Sequence, residues 1–245
     1  MDQRVAYVTA GMGSLGTAIC QRLYEADFKV VAGCGPSRDY QKWLDEQKTL
    51  GYQFHASVGD VADWNSTVRA FEKVKAEHGL VSILVNNAGI TRDGFFRDMS
   101  KEDWYAVLST NLNSLFHVTK QVIDGMIEQG FGRIINISSV NGQKGQIGQT
   151  NYSTAKAGIH GFTMALAQEV ADKGVTVNTV SPGYIGTALV QTIRHDSMDK
   201  ILSAVPAKRL GRPQEIASIV AWLASDEAGY ANGADFSING GLHMG

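Results

Sequence analysis

The chain has 245 residues, of which 44% are hydrophobic, and a formal net charge of −2. This length can bury the core of one α/β domain, and the small net charge gives no case for a nucleic-acid-binding protein. The six histidines show no metal-ligand spacing, and the two cysteines, Cys20 and Cys34, favour buried thiols in a reducing compartment. No signal peptide or membrane-length apolar run is recognisable. We therefore expect a cytoplasmic protein without a metal site or a membrane partner.

The chain begins with a strand, a glycine-rich turn and a helix. Val5–Thr9 is a β-rich run, and a helical pattern extends from Thr17 to Tyr24. This is the context in which a glycine loop binds a pyrophosphate at a helix N-terminus. The turn therefore predicts a dinucleotide site, whose expected contacts are Gly11, Gly13, Ser14, Leu15 and Gly16.

The second strand, Lys29–Cys34, carries no acidic residue at its end, and Arg38 follows four residues later. An acid at this point would hold the ribose 2′-hydroxyl of NAD, whereas an arginine suits the 2′-phosphate of NADP. The pattern thus favours NADPH over NADH. The alternative remains open that Arg38 is only a charge at a helix start. Asp39, the next residue, would also repel a phosphate.

Further strands and helices alternate through the middle of the chain. A helix over 40–50 and a strand over 53–57 precede a helix through Val68, Phe71 and Val74 and a strand at 83–85. Asp63 is the better candidate for the cap of the second of these helices, which leaves Asp60 available for another role. A long helical pattern then runs from Asp103 to Ile127 and is interrupted near Asn111.

The segment that follows strand 133–137 contains the residues best suited to acid–base chemistry. Ser138 and Ser139 come first, then a loop rich in Gly and Gln, then Tyr152 and Lys156 in a helical pattern. Residues four apart share one helix face, and a nearby ammonium favours phenolate, so we expect Lys156 to lower the Tyr152 pKa from its usual value of about 10. The alternative is an ordinary half-exposed pair on a helix surface.

The last part of the chain completes the alternation. A strand over 175–180, an amphipathic loop-rich region over 188–213, a helix over 213–223 and a strand over 233–238 are expected in that order. This alternation predicts one α/β domain over residues 1–245, a Rossmann-type doubly wound parallel sheet of about seven strands with helices on both faces. The region 188–213 is the expected substrate lid.

These features resemble the classical short-chain dehydrogenases/reductases across essentially the whole chain. Ser139 lies 13 positions before Tyr152, the interval usual in that family, and Asn86-Asn87-Ala88-Gly89 matches its NNAG motif. The resemblance implies that Ser139, Tyr152 and Lys156 act together in catalysis and that Asn111 connects Lys156 to solvent through a water. A satisfied buried amide is the other interpretation of Asn111.

The resemblance also implies how NAD(P)H is bound. The family loop has glycine where this chain has Ala10 and Ser14, so the affinity for the cofactor could be lowered, although the Ser14 hydroxyl could bind phosphate. Asp60 corresponds to the acid that binds the adenine amino group. Besides the glycine loop and Arg38, the implied cofactor contacts are Asp60, Val61, Asn87, Ala88, Gly89, Tyr152, Lys156, Pro182, Gly183, Ile185 and Thr187.

Within the family, the segments 141–152 and 239–245 look most like those of the acetoacetyl-CoA reductases of polyhydroxybutyrate synthesis, which implies a homotetramer reducing an acyl-CoA. The implied substrate contacts are Ser139, Gln146, Gln149 and Tyr184. The cations Arg194, Lys208, Arg209 and Arg212 are candidates for binding the CoA phosphates, or simply a solvated face. Three alternatives stay open: a 3-oxoacyl-[acyl-carrier-protein] reductase, a reductase of another alcohol or steroid, and a non-catalytic dinucleotide-sensing protein.

Overall fold

In the computed structural model, which describes residues 3–187, 198 and 202–244, seven parallel strands form one sheet. The strands are β1 (Val5–Val8), β2 (Lys29–Cys34), β3 (His55–Val58), β4 (Val81–Asn86), β5 (Gly132–Ile137), β6 (Val175–Pro182) and β7 (Asp235–Ile238). Their order across the sheet is β3-β2-β1-β4-β5-β6-β7. The predicted fold class, a single-domain doubly wound α/β sheet, is confirmed.

Helices cover both faces of this sheet. On one face the core contains Ile19 and Leu23 together with Ile216 and Leu223, and on the other it contains residues such as Val122. The described helices with defined bounds are α1 (Ser14–Glu25), α2 (Tyr40–Thr49), α3 (Trp64–His78), α4 (Lys101–Leu108), α5 (Ser114–Gln129), α6 (Val140–Lys144), α7 (Thr150–Val170) and α8 (Pro213–Ala224). None of the described helices is long and apolar enough to cross a bilayer.

Burial follows the position of each strand in the sheet. Every residue of β1, β4, β5 and β6 is buried, whereas β3 and β7, at the two edges, each include two exposed positions. Strands covered on both faces carry continuous apolar runs, and edge strands do not need them. The central strands therefore hold the functional residues at their carboxyl ends on a rigid base.

The structure differs from the sequence-based expectation at a few boundaries. Helix α1 begins at Ser14 instead of Thr17, with Gly13 as its N-cap, and β3 covers 55–58 instead of 53–57. The segment predicted as a Gly- and Gln-rich loop contains the short helix α6, because Ser139 caps its N-terminus. The interruption near Asn111 is one π-helical turn, Ser109–Asn113, between α4 and α5. Half of the predicted lid, 188–213, lies outside the described residues, namely 188–197 and 199–201.

Candidate active site

A cleft of about 320 Å³ opens at the carboxyl ends of the central strands. This is where an open parallel α/β sheet collects the ends of several strands, so residues distant in sequence meet there. It brings together Ser139, Tyr152 and Lys156, three of the four predicted catalytic residues, and most of the residues expected around nicotinamide and substrate. The predicted residues that line it are Leu15, Asn87, Gly89, Ser139, Gln149, Tyr152, Lys156, Pro182, Gly183, Tyr184, Ile185 and Thr187.

Ser139 is held at the junction between β5 and α6. Its backbone is extended, and its Oγ accepts a hydrogen bond from the Asn141 backbone N–H at 3.1 Å as the N-cap of α6. The same side chain forms a hydrogen bond with Tyr152. The cap fixes the position of the Ser139 hydroxyl. The structure therefore places Ser139 next to Tyr152, as the sequence predicts.

Tyr152 and Lys156 share one face of α7 beneath the cleft. Lys156 is only 3% exposed, and its ammonium donates to the Ile137 carbonyl at 2.8 Å. The Nζ atom lies 5.7 Å from the centroid of the Tyr152 ring. Burial disfavours the charged form of the amine and lowers the Lys156 pKa to about 8.

The Tyr152 pKa is raised above its ordinary value, which corrects the expectation that Lys156 lowers it. Burial is the main cause, since it disfavours phenolate; the hydrogen bond with Ser139 acts in the opposite direction, and the charge of Asp93 adds to the rise. The Lys156 ammonium is itself desolvated and bonded to a carbonyl, not to the phenol. The phenol therefore keeps its proton, as a group that donates a proton must.

Asn111 lies in the π-helical turn and is fully buried. Its side-chain oxygen accepts from the Ile90 backbone N–H at 2.8 Å, and its amide nitrogen donates to the Ile90 carbonyl at 2.9 Å. A side chain added at Gly89 would come within 3.5 Å of both Asn111 Oδ1 and Lys156 Nζ. Asn111 thus holds the loop after β4 beside Lys156, and its role in a water relay stays a prediction.

The glycine turn after β1 fits a pyrophosphate. A Cβ at Gly16 would collide with the Ala10 carbonyl oxygen, and a Cβ at Gly11 would lie 2.9 Å from the Ala32 Cβ. No side chain caps the first turn of α1, whose N-cap is Gly13, and Ser14 is exposed at its first position. A helix N-terminus without a side-chain cap has free N–H groups and a positive dipole end, which suit an anion.

Ala10 occupies a left-handed backbone conformation with φ of 49°, which costs a residue with a Cβ more than glycine. We expect Ala10→Gly to raise the free energy of unfolding by up to about 1 kcal/mol and the melting temperature by roughly 2–4 °C. We also expect tighter dinucleotide binding, because the turn is then unstrained. Differential scanning fluorimetry and calorimetric titration measure the two effects.

Ala26→Gly is the matched control, because Ala26 has a φ of −91° at the exposed end of α1 and gains nothing from glycine. It should lower the melting temperature. If Ala10→Gly is equally destabilising, the turn has adapted to alanine and is not strained.

Arg38 lies across the glycine turn, where its Nη2 donates to the Met12 carbonyl at 3.1 Å. Asp39 is the N-cap of α2 and accepts from the Lys42 N–H at 3.1 Å. Asp39, not Arg38, therefore serves the helix start. This arrangement leaves the Arg38 guanidinium at the end of β2, where the sequence prediction requires a cation.

The predicted adenine contacts occupy the turn after β3. Asp60 accepts from the Ala62 N–H at 2.9 Å, and Asp63, as predicted, caps α3 by accepting from the Ser66 N–H. The Val61 carbonyl lies 3.0 Å from a ring nitrogen of His117. These bonds fix the turn, and direct contact with adenine stays a prediction.

Thr9 fixes the NNAG turn and was not among the predicted site residues. Its hydroxyl accepts from the backbone N–H groups of Asn87 and Ala88, at 2.8 and 2.9 Å. The Asn87 side chain donates to the Thr9 carbonyl at 3.1 Å and to the Ala10 carbonyl at 3.3 Å. The glycine turn and the NNAG turn are thereby held together as one unit.

The two glutamines predicted to bind substrate behave differently. Gln149 lines the cleft, accepts from Asn141 at 2.9 Å and donates to Asp93 at 2.9 Å. Gln146 is exposed, accepts from Lys144 at 3.3 Å and is not among the cleft-lining residues. Asp93 and Asn141 were missed, and the signal that could have found them is their position directly beside the NNAG and Ser139 segments.

The predicted CoA-binding cations are largely engaged within the protein. Arg209 donates to Glu215 through both terminal nitrogens, at 2.8 and 2.7 Å, and Arg212 lies 3.8 Å from the same carboxylate. The hydrogen bonds from Arg209 are the main reason that the Glu215 pKa falls to about 2. Lys208 donates to the Ser203 carbonyl at 2.6 Å, and Arg194 lies outside the described residues.

A parallel sheet with a glycine turn after β1 and a Ser–Tyr–Lys group at its carboxyl edge is the arrangement of a dinucleotide-dependent oxidoreductase. The family model of the short chain dehydrogenases matches residues 4–198. The chain belongs to this family, so it is an NAD(P)H-dependent enzyme.

Similar proteins with full-length coverage support this assignment. The chain is 70% identical over 246 residues to an acetoacetyl-CoA reductase of Cupriavidus necator, covering 100% of both chains. It is 42% identical over 244 residues to a 3-oxoacyl-[acyl-carrier-protein] reductase of Haemophilus influenzae, again covering 100% of both. A solved structure from Agrobacterium tumefaciens, provisionally assigned as a gluconate dehydrogenase, superposes with a TM-score of 0.93 at 30% identity, over 98% of this chain and 95% of that one.

Proposed function

We propose that this protein reduces the 3-keto group of acetoacetyl-CoA to (R)-3-hydroxybutanoyl-CoA for polyhydroxybutyrate synthesis. The observation that carries the proposal is the group of Ser139, Tyr152 and Lys156 in one cleft, in a chain 70% identical over its full length to an acetoacetyl-CoA reductase. The intact group argues against a non-catalytic dinucleotide-sensing protein. A reductase acting on a carrier-protein thioester is the other candidate, favoured by the similarity to the Haemophilus influenzae protein.

The chemistry follows from the positions of these residues. NADPH, when bound, supplies a hydride to the keto carbon. Tyr152, which keeps its proton, donates it to the keto oxygen as negative charge develops there. The Ser139 hydroxyl, held in place as the cap of α6, donates a hydrogen bond to the same oxygen. Lys156, with its pKa lowered to about 8, supplies an amine beside Tyr152 that is mainly protonated at neutral pH.

The choice of acyl carrier is tested by comparing two substrates. We expect a higher kcat/KM for acetoacetyl-CoA than for the acetoacetyl thioester of acyl carrier protein. Because Arg209 is paired with Glu215 and Arg212 shares the same carboxylate at 3.8 Å, we expect added salt to raise the KM for acetoacetyl-CoA only modestly. Equal or better efficiency with the carrier-protein substrate would assign the chain to fatty-acid synthesis.

We propose NADPH as the preferred cofactor on the strength of Arg38. Arg38→Ala should weaken NADPH binding more than NADH binding, because a guanidinium grips the 2′-phosphate that NADH lacks. Fluorescence titration of both reduced cofactors measures the difference. Lys42→Ala on α2 is the control for loss of one nearby charge. An equal loss of affinity for both cofactors in Arg38→Ala would show that Arg38 does not bind the 2′-phosphate.

Homotetramer formation and a lid over 188–213 also remain predictions.

A further inference from the structure

A serine, a histidine and an aspartate from three distant segments meet behind the catalytic group. Ser138 Oγ lies 3.1 Å from His160 Nε2, and His160 Nδ1 lies 3.5 Å from Asp235 Oδ2. Ser138 Oγ also donates to the carbonyl of Lys156 at 2.8 Å. None of these contacts has a part in the chemistry described above, so their purpose has to be sought separately.

The order Ser–His–Asp is also that of a nucleophile triad, but the geometry excludes that use. Ser138 and Ser139 are consecutive residues in extended chain, so their side chains point to opposite sides. Ser139 Oγ bonds with Tyr152, whereas Ser138 is only 3% exposed and its Oγ is bonded to the Lys156 carbonyl. A nucleophile must reach its substrate, and Ser138 Oγ faces the interior.

Counting the protons shows which form of the histidine fits. The single proton of the Ser138 hydroxyl is given to the Lys156 carbonyl, so the contact with His160 requires a proton on Nε2. The other nitrogen, Nδ1, lies 3.5 Å from Asp235 Oδ2. The Nε2–H of His160 is therefore the donor to Ser138, and Asp235 lies on the far side of the ring.

The aspartate ties this contact to other elements. Asp235 Oδ1 accepts from Ser181 at 2.7 Å, and Oδ2 accepts from Gln143 Nε2 at 2.7 Å. Gln143 also donates to Ser237 Oγ at 2.6 Å. Strand β7 is thereby linked to β6, to α6 behind Ser139, and through His160 to the helix turn that carries Lys156.

We propose that His160 is a positioning residue for the reduction: held beside Asp235, its Nε2–H donates to Ser138 and so fixes the strand end of Ser139 and the helix turn of Lys156. Of the charged side chains described around the imidazole, Asp235 on β7 faces it, and Lys156, one turn earlier on α7, directs its ammonium to Ile137 instead. Loss of the imidazole ring removes the donor to Ser138 and loosens the catalytic residues.

A double-mutant cycle in the enzyme without cofactor or substrate tests the pairing. His160→Ala, Asp235→Asn and the double variant are unfolded in urea at fixed protein concentration and fixed pH. We expect the midpoint losses to be non-additive, because the two side chains are in contact. Additive losses would overturn the proposal.

A kinetic readout separates positioning from general stability, and it rests on the proposed function. We expect His160→Ala to lower kcat for acetoacetyl-CoA by roughly tenfold to a hundredfold, with little change in KM, because only the reacting geometry is disturbed. His160→Gln, whose amide can donate to Ser138, should restore most of the rate. An unchanged kcat in His160→Ala, or a change confined to KM, would contradict the positioning role.

His55→Ala is the matched control, since His55 is exposed at the start of β3, at the opposite edge of the sheet. It should leave kcat unchanged. Coupling together with no turnover of acetoacetyl-CoA would leave the pairing in place and reject the proposed substrate. Turnover without coupling would reject the pairing alone.

Discussion

Tyr152→Phe is expected to lower kcat by ~10²–10⁴ while leaving the affinity for NADPH nearly unchanged. The ring that packs in the cleft remains, and only the proton donor is lost. Burial raises the Tyr152 pKa, so the wild-type phenol is protonated at neutral pH and ready to donate. Stopped-flow or steady-state rates, with the cofactor affinity from a separate titration, distinguish lost chemistry from lost binding.

The matched control for this substitution is Tyr105→Phe, because Tyr105 is 61% exposed on α4 and lies outside the cleft. It should retain the wild-type rate. A Tyr152→Phe enzyme that kept more than about a tenth of the wild-type kcat would assign the proton donation to another group.

Lys156→Met should abolish most of the activity and yet stabilise the fold at neutral pH. Burial lowers the Lys156 pKa from 10.5 to about 8, so keeping the ammonium charged in the folded protein costs about 3 kcal/mol at neutral pH. Methionine has a similar length and no charge to desolvate. The hydrogen bond to the Ile137 carbonyl is lost in the variant and offsets part of the gain.

The pH dependence identifies the cause of this stabilisation. Between about pH 8 and 10.5 the unfolded lysine holds more proton than the folded one, so wild-type stability from this group rises with pH across that window. The advantage of Lys156→Met should therefore be largest below pH 8 and shrink toward pH 10.5. Urea unfolding of the cofactor-free proteins measures it, with the exposed Lys101→Met as the control. A gap that does not change with pH would mean that the ammonium is not desolvated.

Much of the fold could be predicted from the sequence because the buried strands of a parallel sheet are recognisable as apolar runs. The continuous apolar runs of β2 and β5 mark strands covered on both faces, and their predicted bounds differ little from the observed ones. Edge strand β3 was displaced by one or two residues, since an edge carries a weaker apolar pattern. Helix α6 was missed because a cap hydrogen bond from Ser139, not an apolar periodicity, defines its start.

The catalytic group could be predicted from spacing, whereas its electrostatics could not. Ser139 and Tyr152 meet because one ends a strand and the other begins the next long helix, and both positions are visible in the sequence. The direction of the Tyr152 pKa depends on burial and on where the Lys156 ammonium points, and neither is local in sequence. The contact between His160 and Asp235 joins residues that no motif connects.

The substrate residues show the same limit. The sequence does not distinguish Gln146 from Gln149, because both lie in the same Gly- and Gln-rich segment. In the structure, the turn before α7 directs Gln149 to the cleft and Gln146 to solvent. Arg209 likewise appears free for CoA until the capping interactions of α8 show that Glu215 holds it. In both cases, the local turn or a contact with a neighbouring side chain decides whether the residue can reach the substrate.

The most direct test of the whole account is the consumption of NADPH by the purified protein with acetoacetyl-CoA, followed through the absorbance of the reduced cofactor. Tyr152→Phe serves as the blank and the chirality of the product is determined. The account predicts rapid turnover by the wild type, formation of (R)-3-hydroxybutanoyl-CoA and almost no turnover by the variant. Absence of turnover by folded wild-type protein, or an equal rate in the variant, would contradict it.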